Sequence, residues 1–172
     1  MTLDMERRNQ GRFMKLKWTL INIDYLKSVD LFANVSPRSL ERLATLIYTR
    51  SFRRGQRIFE NGAPAQRMYL INSGDVRISR EVPGFESEVL AVLKPGGYFG
   101  ESALMSDGVR SADAWAQTEC ELGIIEGHEL KAMMDDHPEM AEELLWVFVR
   151  TLARRLRSTN QRMANLVEDM HR

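Results

Sequence analysis

Between Phe99 and Ala116 the chain reads Phe-Gly-Glu-Ser-Ala-Leu-Met-Ser-Asp-Gly-Val-Arg-Ser-Ala-Asp-Ala-Trp-Ala, which sets the carboxylate of Glu101 and the guanidinium of Arg110 on either side of a short helix start. Gly100 frees the backbone for close approach to an anion, and the good helix formers from Glu101 to Met105 predict a turn whose unpaired N–H groups point at a phosphate. Arg110 supplies a full positive charge in a fork suited to two phosphate oxygens. A carboxylate repels a phosphate, so Glu101 is assigned to a hydroxyl, and a ribose 2′-OH is the natural donor. The spacing therefore predicts a ligand carrying ribose and phosphate together; the competing reading is an ordinary surface ion pair near a turn.

The wider pattern carries a resemblance. Phe99-Gly100-Glu101-x-Ala103-Leu104 followed by Arg110-Ser111-Ala112 resembles the phosphate-binding cassette of the cyclic nucleotide-binding domain family. Gly55-Gln56-x-Ile58-Phe59-x-x-Gly62 and Met68-Tyr69-x-Ile71-x-x-Gly74-x-Val76 fall where that family keeps its strand and turn glycines. The resemblance covers residues 29 to 170. It implies an α+β fold: an eight-stranded antiparallel jelly-roll barrel with N-terminal helices and a long C-terminal dimerisation helix. It also implies a site in which Gly100, Glu101, Ser102, Ala103, Arg110 and Ser111 hold a cyclic ribose phosphate, cAMP or cGMP, as ligand rather than cofactor.

The elements that must position these residues are legible in outline. Ser36-Pro37 starts a short helix as N-cap and N1, with Leu40, Leu43, Leu46 and Ile47 at helical spacing. From about residue 47 to 127 brief β-rich runs alternate with turn signals such as Asn61-Gly62, Pro83-Gly84 and Pro95-Gly96-Gly97, the pattern of an antiparallel sandwich or barrel. Glu88 to Leu93 would be a strand with one face, Val89 and Ala91 or Leu90 and Val92, against sugar and base; alternation does not say which. Residues 1 to 28 are basic, then broadly apolar, and must lie against their own domain, a partner or a membrane surface. The expected division is an N-terminal helical extension over 1–28, a nucleotide-binding domain over 29–137 and a helix over 138–172.

After Pro138, Leu145, Val149, Leu152, Leu156, Thr159, Met163, Leu166 and Met170 alternate in steps of four and three, a heptad seam that predicts a parallel two-stranded coiled coil and a homodimer. The N-terminal part of this helix, with Trp146 and Phe148 off the seam, is expected to pack on its own domain. Beyond Leu152 residues such as Arg154, Arg155 and Arg157 narrow the apolar stripe. Thr159 is the polar residue in the seam and needs a partner. The run from Ala153 to Leu166 is similar to the dimer helix of the catabolite activator family, which implies that Thr159 meets the purine; Asn160 departs from that family's serine, and an amide satisfies adenine or guanine edges.

Several function classes are disfavoured. The 24 basic and 24 acidic residues cancel, so no charge surplus calls for nucleic acid. That regulator family continues into a helix-turn-helix absent from these residues, so direct DNA binding by this chain is not expected; it reads as a sensor acting on an unidentified protein partner, with the sensor part of a regulator, or a dimerisation module that keeps the fold and binds no nucleotide, as the alternatives. His128, His137 and His171 lack metal-pair or nucleophile-base spacing, which predicts neither enzyme nor metal protein. Cys120 reads as a small buried hydrophobe in a strand. No run reaches roughly 18 apolar residues, and no apolar signal core opens the chain, so a cytoplasmic protein is expected and membrane association is not.

Overall fold

The computed structural model describes residues 23–81, 87–101 and 108–170, with the side chains of 162 and 166–170 left aside. Helices α1 (Ile23–Ser28) and α2 (Pro37–Leu46) lead into eight strands: β1 (Tyr48–Phe52), β2 (Arg57–Phe59), β3 (Arg67–Ser73), β4 (Val76–Arg80), β5 (Glu88–Leu93), β6 (Tyr98–Phe99), β7 (Asp113–Ala116) and β8 (Cys120–Glu126). Helices α3 (Gly127–Asp136) and α4 (Pro138–Met170) follow. The strands form two four-stranded sheets, in the orders β1-β8-β3-β6 and β2-β7-β4-β5, and every pairing is antiparallel. This is the jelly-roll expected, with one correction: the sheets face each other as a sandwich and are not closed into a barrel, because no ladder joins a strand of one to a strand of the other.

Two cores explain the two kinds of strand. Successive side chains on a strand point to opposite faces, and in β3 Met68 and Leu70 enter a core shared with α1 to α4, whereas Tyr69 and Ile71 enter the core between the sheets. The first sheet is thus covered on both faces, and β3 and β8 read as nearly continuous apolar runs. The second sheet contributes Val76, Ala114 and Ala116 to the inter-sheet core, while its other face carries Arg77 and Trp115. Each fully buried Leu or Ile contributes roughly 1.5 to 3 kcal/mol, so Leu40, Leu43, Leu70 and Ile125 alone fix the helices firmly on the first sheet.

The helix starts follow the sequence. Ser36 caps α2, its hydroxyl oxygen accepting from the Ser39 N–H at 3.3 Å, and the Ser36 N–H donates to Glu143 of α4 at 3.0 Å. Cys120 is buried at the start of β8, and burial pushes its thiol pKa up. Helix α4 packs through Met140, Leu144, Val147, Phe148 and Thr151. Trp146 does not join them: at 56 % exposure it corrects the expectation that it packs on the domain, because it sits about 100° round the helix from Val147. After Thr151 the helix leaves the core, and Leu152, Leu156, Thr159 and Met163 of the seam are exposed. At about 1.5 Å per residue its 33 residues extend about 50 Å.

Candidate functional site

The site begins with the turn at Asn61-Gly62. The Gly62 N–H donates to the Arg110 carbonyl at 2.8 Å, the Arg110 N–H returns a bond to the Ala63 carbonyl at 2.8 Å, and Pro64 bridges Val109. The Asn61 N–H donates to Asp113 Oδ1 at 3.2 Å. Arg110 is thereby held by its backbone before its side chain is placed.

That side chain turns inward and is only 4 % exposed. Nη1 donates to the Gly100 carbonyl at 3.2 Å and Nη2 to the Arg67 carbonyl at 2.7 Å, while Nε is buried without a hydrogen-bond partner. The guanidinium lies 4.1 Å above the Phe59 ring centroid and 5.7 Å from that of Tyr69. Phe59, Tyr69 and Phe99 form the floor beneath it, with Tyr69 stacked on Phe99 at 4.9 Å. Burial lowers the Arg110 pKa; Tyr69 and Glu101 work against the shift, and Arg67 adds to it. Burial likewise raises the pKa of Tyr69, with Arg110 and Arg67 opposing. Gly100 is required here: its φ of +74° is left-handed, and a Cβ on it would lie 2.6 Å from Arg110 Nη1.

Glu101, 6 % exposed, accepts a close ion-pair hydrogen bond from Arg155 of α4. Arg155 also sits 5.6 Å from the Tyr98 ring centroid. The C-terminal helix is therefore tied to the residue that follows the Gly100 carbonyl held by Arg110. Thr159 lies one turn beyond Arg155 on that face of the helix; Thr159 and Asn160 are both exposed, as is Ser111. Gly100, Glu101 and Arg110 are brought together as the spacing predicted, Thr159 and Asn160 stand apart on α4, and Ser102 and Ala103 lie outside the described residues.

Sequence reasoning missed Arg155, Phe59, Tyr69 and the Arg67 carbonyl. Helical spacing offered a signal for Arg155, four residues before Thr159. The aromatic floor had none, because it depends on which strands pair. Arg67 is itself anchored: its Nε donates to Glu126 Oε1 at 2.7 Å, and the Tyr48 hydroxyl donates to the same oxygen at 2.6 Å.

Chemically, this is a buried cation whose N–H groups rest on carbonyls, with an unused donor, beside a buried carboxylate that only accepts. The first suits an anion and the second a hydroxyl. No group of three or more metal-ligating side chains occurs among the described residues, and no described helix is long and apolar enough to cross a membrane.

The family model for the cyclic nucleotide-binding domain matches residues 49–137, which hold the whole sandwich except Tyr48 and include Gly100, Glu101 and Arg110 of this site, but not Arg155. The chain is 33% identical over 144 residues to a CRP-like cAMP-activated global transcriptional regulator of Mycobacterium tuberculosis, covering 84% of this chain and 62% of that protein. It is 33% identical over 135 residues to the cyclic AMP receptor protein of Thermus thermophilus, covering 78% and 61%. The N-terminal domain of a Streptomyces coelicolor transcriptional regulator superposes with a TM-score of 0.69 at 32% identity, over 80% of this chain and 96% of that one. The chain thus spans about three fifths of the length of these two curated relatives. With a matching model over half its length and the cassette glycine, carboxylate and arginine assembled on a jelly-roll, this chain belongs to the cyclic nucleotide-binding domain family.

Proposed function

We propose that the protein is a cytoplasmic receptor for a 3′,5′-cyclic mononucleotide, cAMP in preference to cGMP, and that it signals through its C-terminal helix to a protein partner. The observation that carries this reading is Arg110: a buried guanidinium with an unpartnered Nε, held 4.1 Å over Phe59. An incoming phosphate supplies the anion that a buried cation otherwise lacks. Arg110 and Ser111 take the cyclic phosphate with the backbone after Gly100, including Ser102 and Ala103, and Glu101 accepts from the ribose 2′-OH. That hydroxyl competes with Arg155 for Glu101.

Thr159 and Asn160 cap the purine, the threonine hydroxyl accepting from the adenine amino group. The nucleotide then touches both sandwich and helix, and it shifts their equilibrium only because it touches both. The exposed seam from Leu145 to Met163 supports a homodimer. Neither catalysis nor direct DNA contact by these residues forms part of the reading.

Calorimetry with cAMP, cGMP and a cyclic dinucleotide tests it. Tightest binding is expected for cAMP, and Thr159→Ala with Asn160→Ala should weaken it by about 1 to 3 kcal/mol, as for hydrogen bonds lost at a desolvated site. Hydrogen exchange over residues 150 to 165 should slow on cAMP binding in the wild type and stay unchanged in the double variant. Equal exchange with and without cAMP in the wild type refutes transmission through the helix.

A further inference from the structure

Among the described residues, the helices leave one face of the second sheet uncovered. The core formed with the helices takes no residue from its strands, and its outward side chains line up in register. Arg57 is paired with Trp115, Trp115 with Arg77, and Arg77 with Val92. The Arg57 and Arg77 guanidiniums lie 4.7 and 5.9 Å from the Trp115 ring centroid.

Beside this row is a hollow of about 480 Å³ walled by Arg54, Arg77, Val89, Val92 and Trp115. Its apolar walls are open to water, Val89 being 53 % and Val92 40 % exposed. Arg57 is paired with Glu60 at 2.8 Å, but among the described residues no carboxylate forms an ion pair with Arg54 or Arg77, and Arg77 Nε is buried without an acceptor. Among the described residues, strand β5 closes the sheet on this side with β4 as its single neighbour.

We propose that this face docks a protein partner presenting an extended acidic segment, in which an aliphatic side chain fills the hollow and carboxylates two residues to either side reach Arg77 and Arg54. Side chains two apart in an extended segment share one face, which matches a hollow flanked by cations. The carboxylate supplies the acceptor that Arg77 Nε lacks, and the charge match guides encounter.

A single-stranded nucleic acid fits less well. Both neighbours of Trp115 in the row are guanidiniums set near its ring, so a base finds no free aromatic face to stack on. The rest of the lining is aliphatic, and the chain as a whole has no net charge.

The test uses the full chain and a fluorescein-labelled peptide of about ten residues with Glu-Thr-Leu-Thr-Glu at its centre, read by anisotropy. Its counterpart carries Lys in place of both Glu residues, and a single-stranded oligonucleotide of similar length serves as the nucleic-acid probe. The acidic peptide is expected to bind the wild type, and Arg54→Glu with Arg77→Glu should weaken it by at least about tenfold while the lysine peptide gains affinity for that variant. Circular dichroism checks the fold of the variant; should it not fold, Arg54→Glu alone, at an exposed position, carries the comparison. The proposal is overturned if the acidic peptide does not bind at millimolar concentration, if the charge reversals leave its affinity unchanged, or if the oligonucleotide binds more tightly. It stands independently of nucleotide binding.

Discussion

Replacing Arg110 by Ala probes both the stability of the site and its proposed use. In the free protein the change removes N–H···O bonds of 3.2 and 2.7 Å to the Gly100 and Arg67 carbonyls and a guanidinium stacked 4.1 Å over Phe59. Hydrogen bonds from a charged group contribute about 1.5 to 3 kcal/mol each, and a desolvated cation–π contact about 2 kcal/mol. Against these stands the relief of a buried cation without a full counter-charge, worth several kcal/mol. The net expectation is a loss of about 2 to 4 kcal/mol in urea unfolding. Nucleotide binding should suffer more, because a phosphate in the variant loses the guanidinium that the reading places directly on it. The loss expected is that of a broken buried pair, about 3 to 5 kcal/mol, or roughly two to four orders of magnitude in Kd for cAMP. Arg110→Lys restores a point charge without the planar fork and should fall between the two. Calorimetry on folded variants decides it, and a cAMP affinity in Arg110→Ala within about threefold of wild type, under half of one factor of ten, would falsify the assignment of Arg110 to the phosphate.

Three further outcomes follow from particular contacts. Leu156→Glu places a charge in the exposed seam of α4, where Leu156 is 62 % exposed in one chain, and should yield monomers in sedimentation velocity; a wild type already monomeric at tens of micromolar removes the coiled coil and leaves the nucleotide site standing. Gly100→Ala puts a Cβ 2.6 Å from Arg110 Nη1 at a φ of +74°, and should cost about 1 to 2 kcal/mol in unfolding together with a loss of cAMP affinity, whereas unchanged affinity would separate this turn from the site. Glu143 loses some ionisation to burial but is held below its ordinary value of 4.5 by the Ser36 N–H and the Ser36 and Ser39 hydroxyls. A folded pKa below the unfolded one gives stability that is fully present above about 4.5 and is lost as pH falls through the folded value, so Glu143→Gln should flatten that part of the acid-unfolding curve.

Much of the candidate site was legible because its spacing is local. Gly100 and Glu101 are adjacent, Arg110 follows within one excursion of chain, and the glycines at 62 and 74 mark turns that any partner strand must accommodate. Ser36-Pro37 and the alternation of Leu40, Leu43 and Leu46 fixed α2 by the same short-range logic. The four-three spacing from Leu145 onward likewise belongs to a single helix and needs no tertiary information.

What required the tertiary structure depends on registers between distant segments. The strand at β5 left two faces open in sequence; a bulge opposite Ile78 and Ser79 shifts the pairing from Ala91 to Val89, which interrupts simple alternation. Trp146 and Phe148 looked alike as off-seam aromatics, yet only Phe148 faces the helical core, because the docking angle of α4 is set by Met140, Leu144 and Val147 together. Arg155 reaches Glu101 across 54 residues, and Phe59 comes under Arg110 across 51, through the pairing of β2 with β7 and the Gly62 to Arg110 ladder. Local spacing specifies which groups a segment offers. Only the packing of two sheets and a long helix specifies which of those groups meet, since a one-residue change in register turns every side chain of a strand to the opposite face.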